Sequence, residues 1–188
     1  RLAGIQISFC TVIKCHWLRM LILGIRGMMQ NLKLNEGGAL HMNVLFVCTG
    51  NTCRSPMAAG IFKKIVQEKN LQDINILSAG ISADNISKAT QNAIKVCEEI
   101  GVDLKNHVSR SVFDVNFSHI DKFVVMTTVH RSFLINLGVQ NERIFILGEQ
   151  ILDPFGGNLD IYEHCRDQIY NALCDLVKNP NFMNVGED

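Results

Sequence analysis

Short apolar runs alternate with longer stretches of helical period from Met42 to Val177. Continuous apolar runs are typical of strands covered on both faces, and they predict strands at 44–47, 74–77, 123–126 and 143–147. Apolar residues at helical spacing predict a helix that begins at Pro56 and further helices at 87–100, 128–137 and 159–177. This order predicts the α/β class, as a single doubly wound domain whose four-stranded parallel sheet is flanked by helices.

The first part of the chain does not share this pattern. Residues 5–25 are mostly apolar, but Lys14, His16 and Arg19 interrupt them at a density that argues against a transmembrane helix. The chain begins with Arg1, and 36–38 is a Glu-Gly-Gly run of the kind that a purine-rich ribosome-binding sequence encodes. We therefore expect 1–41 to be a non-native or disordered extension and 42–188 to form the domain. The alternative is a genuine arm that folds poorly.

The net charge bears on which partners the protein can bind, and the cysteine content bears on the cellular compartment in which it functions. The 18 basic and 18 acidic side chains cancel, so the composition gives no support for binding to nucleic acid or to an anionic membrane. The seven cysteines are odd in number, and their spacing does not resemble a disulfide framework. Reduced thiols and a cytoplasmic location follow as expectations. No pattern in the chain indicates an oligomeric state.

Two loops leave predicted strand ends, where doubly wound sheets bind ligands: 48–55 and 152–160. The first loop and the start of the next helix read CTGNTCRSP over 48–56. Gly50 and Asn51 tolerate unusual backbone angles, so amide groups can turn inward at a helix N-terminus and form an anion site. Arg54 can hold two phosphate oxygens in a bidentate fork. The loop therefore predicts a site for a phosphoryl group.

The same positive potential acts on Cys48. It is expected to lower the pKa of the thiol, and a hydroxyl donor such as Ser55 would stabilise the thiolate further. A thiolate that faces a held phosphoryl group can attack phosphorus in line. A single cysteine at a strand end is more often a small buried apolar residue, and it is the combination with Arg54 and Ser55 that favours catalysis.

Other uses of such a loop are disfavoured by its residues. An ATP-binding loop is excluded because no Gly-Lys-Ser/Thr follows. A zinc site is disfavoured because Cys48 and Cys53 lack metal-like spacing and a second pair of ligands. No metal and no organic cofactor is required, since Arg54 and the backbone amides can supply the positive charge.

The run VCTGNTCRSPMA at 47–58 resembles the active-site signature of the low-molecular-weight protein tyrosine phosphatases. Ser-Ala-Gly at 78–80 and Asp153-Pro154 fall where that family has its second and third landmarks, so the resemblance spans about 42–177. It implies a phosphatase that acts on phosphorylated protein through a phosphocysteine, with Cys48, Arg54 and Asp153 as catalytic residues. The residues expected to contact the substrate are Thr49, Gly50, Asn51, Thr52, Cys53, Ser55 and Phe155.

The resemblance assigns the proton of the leaving group to Asp153. A carboxyl on a loop after a strand can reach the mouth of the first loop, and it can then act as the base for the hydrolytic water. Taken alone, an aspartate before a proline is more often a turn former.

Two positions bear on the substrate. Tyrosine-specific relatives usually carry a larger aliphatic residue at the position of Thr52 and often tyrosine at that of Phe155. Thr52 together with DPFGG at 153–157 looks more like the protein arginine phosphatase branch. A compact hydroxyl can help orient a guanidinium, and Asp153 can pair with that planar cation. Phosphotyrosine remains the alternative, because Phe155 could stack against its ring, and Thr52 could simply pack the loop.

The remaining cysteines and histidines offer weaker signals. Cys53 is either a partner for a reversible disulfide with Cys48 or a packed thiol. Cys97, Cys165 and Cys174 are expected to fill space in helices, and His107 and His130 are expected to be structural or solvated. An arsenate reductase ranks lower because the further pair of cysteines is missing, and a non-catalytic anion sensor ranks lower because Cys48, Arg54 and Asp153 are all present.

Overall fold

A computed structural model describes residues 41–71 and 73–184 of the chain. Its sheet contains four strands in the order β2-β1-β3-β4, and every neighbouring pair is parallel. The strands are β1 Met42–Cys48, β2 Ile74–Gly80, β3 Lys122–Val125 and β4 Ile144–Ile146. The prediction of a four-stranded parallel sheet is confirmed. The prediction about residues 1–41 concerns, apart from His41, residues outside those described.

Five α-helices connect or follow these strands in the described part of the chain. They are α1 Arg54–Glu68, α2 Gln91–Glu98, α3 Thr128–Asn136, α4 Leu159–Leu176 and α5 Pro180–Met183. Short 3₁₀ turns lie at Val112–Asp114, Phe117–His119 and Asn141–Arg143. No helix among the described residues is long and apolar enough to cross a membrane.

The central strand β1 explains why both faces of the sheet are covered. Its side chains alternate between the faces, as in any strand, and all of them from Val44 to Cys48 are buried. Val44 and Phe46 belong to a core that includes residues of α1, α2 and α4. Leu45 and Val47 belong to a second core on the other face, which includes Leu134 of α3. The two cores are the physical basis of the doubly wound architecture.

The second predicted helix is shorter than expected. It was placed at 87–100, but α2 begins at Gln91 because Thr90 caps it and accepts a hydrogen bond from the amide of Ala93 at 3.4 Å. The preceding residues are extended instead, and the amide of Ser109 donates to the carbonyl of Ser87 at 2.8 Å. The helical period in the sequence therefore extends upstream of the cap at which the helix begins.

At the carboxyl edge of the sheet, the start of the first helix and the end of β2 also differ from the predicted boundaries. The first helix begins at Arg54 and not at Pro56, so Arg54 is held by helical backbone. Strand β2 continues past its predicted end at 77 as far as Gly80, because its whole length pairs with β1. Both β1 and β2 thus reach the carboxyl edge of the sheet together. The strand order reverses between β1 and β3, and the crevice at this point is where such folds bind ligands.

Candidate functional site

A pocket of about 210 Å³ opens at the carboxyl end of β1. It is lined by Cys48, Thr49, Gly50, Thr52, Cys53, Arg54, Asp153 and Phe155. All eight were predicted from the sequence as site residues. The two other predicted residues, Asn51 and Ser55, are fully buried beneath the loop that forms the pocket floor. The structure therefore brings the predicted residues of both loops to one place.

Asn51 organises the floor of the pocket from below. Its backbone has a positive φ of 54°, a conformation that asparagine tolerates better than most residues. Its side-chain amide donates to Ser55 Oγ at 2.7 Å and to Ser78 Oγ at 3.0 Å, and its side-chain oxygen accepts from the amide of Arg110 at 2.8 Å. With all three of these bonds made, the buried side chain fixes the curvature of the loop.

Gly80 allows strand β2 to approach the same loop from the side. A Cβ at this position would lie 2.6 Å from the carbonyl oxygen of Thr49 and 2.8 Å from the amide nitrogen of Asn51. Both are backbone atoms, which cannot move aside as a flexible side chain would. The amide of Ser82, just beyond β2, donates to the carbonyl of Thr49 at 2.9 Å. The Ser-Ala-Gly landmark at 78–80 therefore supports the loop through Ser78 and Gly80 rather than lining the pocket.

The sulfur of Cys48 lies at the end of β1, surrounded by hydrogen-bonding groups. The amide of Asn51 donates to Sγ at 3.2 Å, and Ser55 Oγ lies 3.0 Å from it. Burial raises the pKa of the Cys48 thiol, and the hydrogen bonds from Ser55 and Asn51 oppose that rise. The sequence predicted a lowered pKa, and the structure gives the opposite direction. The reason is that the sulfur is desolvated, while the charge of Arg54 is the weakest of the opposing effects.

Arg54 reaches from the first turn of α1 into the pocket, although only 4% of the residue is exposed. Its Nη1 donates to the carbonyl of Ile151 at 3.2 Å, and its Nη2 donates to Thr49 Oγ1 at 3.5 Å. Nη2 also donates to Oδ2 of Asp153, which forms an ion pair across the pocket. The guanidinium is thereby held between the two loops.

The second loop is far more exposed than the first. The side chain of Asp153 is 48% exposed, and Phe155 is 72% exposed. Within the loop, the amide of Phe155 donates to Asp153 Oδ1 at 3.2 Å, which sets the direction of the carboxylate. A carboxyl that faces both solvent and the pocket is well placed to exchange protons with a leaving group and with water.

The lip of the pocket at Thr52 is supported from α2 and α4. The amide of Thr90 donates to the carbonyl of Thr52 at 2.9 Å, so the residue that caps α2 also holds the backbone of the lip. Cys53 Sγ lies 3.3 Å from the hydroxyl of Tyr162 and 3.5 Å from that of Thr90. Burial raises the pKa of Tyr162 to about 12, which keeps that hydroxyl protonated. These contacts support the description of Cys53 as a packed thiol in this conformation.

Two histidines contact the first loop from outside the pocket. His107 Nε2 lies 2.7 Å from the carbonyl oxygen of Asn51, and since a carbonyl only accepts, this nitrogen carries a proton. His130 is 3% exposed and lies 3.0 Å from Thr49 Oγ1 through its Nε2. The sequence predicted that these two histidines are structural or solvated, and their contacts favour the structural alternative. Their contacts with the loop were not predicted, because each is far from it along the chain.

Three further cysteines among the described residues, Cys97, Cys165 and Cys174, lie in helices as the sequence predicted. Cys97 and Cys165 are buried and Cys174 is partly buried. Burial raises the pKa of both Cys97 and Cys165 to about 12, so these thiols stay protonated. Within the described residues, no group of three or more His, Cys, Asp or Glu side chains could hold a metal ion.

Comparison with known proteins agrees with this geometry. The family model described as low molecular weight phosphotyrosine protein phosphatase matches residues 43–183. The chain belongs to this family, and it is a cysteine-based phosphatase of the low-molecular-weight type.

Relatives with two different named activities are similar to the chain. It is 38% identical over 145 residues to a protein-arginine-phosphatase of Bacillus subtilis, covering 73% of this chain and 95% of that protein. It is 34% identical over 144 residues to the low molecular weight protein-tyrosine-phosphatase PtpB of Staphylococcus haemolyticus, covering 73% and 99%. A solved structure of the YwlE arginine phosphatase, a mutant with a phosphorylated active-site serine, matches with a TM-score of 0.68 at 36% identity, covering 73% and 94%.

Several residues that support the first loop were not predicted from the sequence as site residues. Ser78, Gly80, Thr90, His130 and Tyr162 reach the first loop from four different elements or their ends. None belongs to a local motif with recognisable chemistry, apart from the Ser-Ala-Gly run at 78–80. The strand order β2-β1-β3 shows which elements lie next to the first loop, but the sequence alone does not give that order.

Proposed function

We propose that the chain hydrolyses phosphoarginine on proteins through a phosphocysteine formed on Cys48. Thr52 is the observation that carries the choice of substrate. It places a compact hydroxyl at the lip of the pocket, where a larger aliphatic side chain would favour an aromatic ring. The cytoplasm, where thiols stay reduced, is the proposed location of the enzyme.

The first step transfers the phosphoryl group to sulfur. Because burial raises the pKa of the Cys48 thiol, the reactive form is reached when its proton passes through solvent to the Asp153 carboxylate, which gives a thiolate and a protonated acid. Loop amides and the Arg54 guanidinium, released from Asp153, bind the phosphoryl oxygens, and the thiolate attacks phosphorus in line. The P–N bond breaks, and its electron pair stays on the guanidine nitrogen. Protonated Asp153 donates its proton to that nitrogen, and the resulting carboxylate can pair with the guanidinium that leaves.

The second step releases phosphate. Asp153, now a carboxylate, accepts a proton from a water molecule as that water attacks phosphorus. The S–P bond breaks, its electron pair returns to sulfur, and inorganic phosphate leaves. Cys48 is again a thiolate, which the amide of Asn51 and the hydroxyl of Ser55 stabilise. The phosphorylated active-site serine of the YwlE mutant is consistent with a covalent intermediate at the corresponding loop of that protein.

Hydrolysis of phosphotyrosine is the second candidate. Phe155 is the observation that favours it, because this exposed side chain lines the pocket mouth and could stack on a phenyl ring. The PtpB relatives are named as tyrosine phosphatases, so the family accommodates both substrates in one architecture.

A direct comparison of substrates tests the proposal. We expect kcat/KM for a phosphoarginine peptide to exceed that for a phosphotyrosine peptide of matched sequence, and we expect Cys48→Ser to turn over neither. Thr52→Ile should shift the ratio toward phosphotyrosine. Thr52→Val removes only the hydroxyl while keeping the branched shape, so it separates chemistry from packing. A wild-type preference for phosphotyrosine would refute the assignment, and turnover of neither peptide would support the anion sensor.

A further inference from the structure

We propose that His130 is a positioning residue that sets the direction of the Thr49 hydroxyl and, through it, of the Arg54 guanidinium in the pocket. This inference rests on the phosphatase chemistry of the same pocket, but it does not depend on which phosphorylated residue is the substrate. Three contacts, which together run from α3 to the pocket wall, support it.

The first contact ties His130 to its own helix. Its Nδ1 lies 2.8 Å from Thr127 Oγ1, the side chain of the residue that precedes the first turn of α3. The Thr127 hydroxyl makes no capping bond to the helix backbone, so it is available to the imidazole. Because His130 is buried, this bond leaves the ring little freedom to rotate.

The second contact runs from the other ring nitrogen to the pocket. Nε2 of His130 lies 3.0 Å from Thr49 Oγ1, while Thr49 itself is exposed and lines the pocket. An exposed threonine on a loop would otherwise choose among its χ1 rotamers. A buried ring held at Nδ1 selects the rotamer in which the hydroxyl faces both the ring and Arg54.

The third contact reaches the guanidinium. Arg54 Nη2 donates to Thr49 Oγ1 at 3.5 Å, and a guanidinium can only donate. A hydroxyl oxygen has two lone pairs, so it can accept from Arg54 whether it donates to His130 Nε2 or accepts from it. The arrangement therefore works with either tautomer of the neutral ring.

Neutrality of His130 matters because it lies near a cation that must bind a dianion. Burial and the charge of Arg54 lower the pKa of His130 to about 4, with Asp153 acting weakly in the opposite direction. The ring is therefore uncharged at neutral pH. It orients the Thr49 hydroxyl without adding a second fixed charge that would repel Arg54.

Binding of inorganic phosphate, measured by calorimetry on the full chain, is the central readout because it does not need turnover. We expect His130→Asn, which can reach only toward Thr127, to bind phosphate about tenfold more weakly. His130→Gln, whose terminal amide can reach Thr49, should stay within about threefold of the wild type. Turnover of p-nitrophenyl phosphate should show the same order in KM. His119→Gln serves as the matched control, since this exposed histidine lies before β3 at the opposite edge of the sheet.

Exposed Thr49 provides a second route that does not risk the core. Thr49→Val should lose about tenfold in phosphate affinity and Thr49→Ser should retain it, and in a double-mutant cycle His130→Asn should add little to Thr49→Val. Wild-type phosphate affinity in Thr49→Val, or fully additive losses in the cycle, would overturn the proposal. So would an equal loss in His130→Gln and His130→Asn. Failure to hydrolyse phosphoarginine would refute the proposed substrate and leave these phosphate-binding results in place.

Discussion

The two loops that meet at the pocket are built in opposite ways. The loop at 48–55 is held from several sides, by Asn51 beneath it, by Gly80 beside it and by His107 at the carbonyl of Asn51. The loop around Asp153 is exposed, and Arg54 joins it to the first loop through the ion pair with Asp153 and the hydrogen bond to the carbonyl of Ile151.

This difference matches the two tasks of a phosphatase. Binding a dianion requires donors that are already oriented, because reorganisation would weaken the electrostatic stabilisation of the transition state. Delivering a proton and accommodating different leaving groups requires access to solvent and a loop that can adopt different conformations. Substitutions at the buried residues that support the first loop should therefore affect folding and anion binding together, whereas substitutions in the second loop should affect catalysis and substrate binding with little effect on folding.

The largest expected effect comes from Asp153→Asn, which removes the proposed acid while keeping the shape of the side chain. We expect kcat to fall by about 10²–10³, because proton transfer to the leaving group is lost. The thermal midpoint should stay near that of the wild type, since the residue is half exposed. Stopped-flow kinetics and thermal unfolding check the two halves of this prediction. A large fall in stability would contradict the contrast between the loops.

The opposite pattern is expected for Gly80→Ala. Its added Cβ would press on backbone atoms of Thr49 and Asn51, so the loop must shift. We expect a loss of about 1–3 kcal/mol in the free energy of unfolding and at least tenfold weaker phosphate binding. Urea unfolding and calorimetry measure these quantities. Gly156→Ala in the second loop is the control, because its Cβ would meet nothing within 4 Å, although its φ of 79° adds backbone strain. Unchanged phosphate affinity in Gly80→Ala would show that β2 does not support the site.

A smaller effect is expected from pH. The pKa of His130 is about 4 in the folded chain, below the ordinary 6.5 of an unfolded histidine. Between these values the unfolded state binds more protons, so folding stability falls as the pH drops from about 6.5 toward 4. Above about pH 6.5 the ring is neutral in both states, and His130 adds no pH dependence to folding stability. Burial and Arg54 cause the shift, against Asp153. His130→Gln should therefore show a smaller loss of thermal midpoint over this range than the wild type, and equal losses would refute the assignment.

The smallest effect is expected from Phe155→Ala. The side chain is largely exposed and contributes one wall of the pocket. We expect KM for a phosphorylated peptide to rise about two- to threefold, with the thermal midpoint unchanged, because little apolar area is buried there before substrate binds. A strong rise for phosphotyrosine alone would show that the ring stacks on an aromatic substrate.

The sequence was most informative where chemistry and order along the chain coincide. The run at 48–56 combines a strand end, a helix start and side chains of defined chemistry, so adjacent residues alone were enough to predict a phosphoryl site there. The hypothesis that Asp153 is the acid depended on the family resemblance, because an aspartate before proline more often forms a turn.

There is a physical reason why the contacts of distant residues with the first loop could not be predicted from the sequence. Tyr162 lies 109 positions from Cys53, and His130 lies 81 positions from Thr49, so their contacts arise from packing. The direction of the Cys48 pKa shift was predicted wrongly for a related reason. The positive groups near the sulfur were visible in the sequence, but its complete burial depended on the helices packed around β1.

The hydrogen bond from the amide of Thr90 to the carbonyl of Thr52 has a consequence for how the family diversifies. It fixes the main chain at the lip of the pocket without involving the Thr52 side chain. Mutation at codon 52 can therefore exchange one side chain for another while the phosphate-binding backbone stays in place. With the role proposed here for Thr52, one substitution at this position is enough to change the preferred phosphorylated amino acid while the chain still folds.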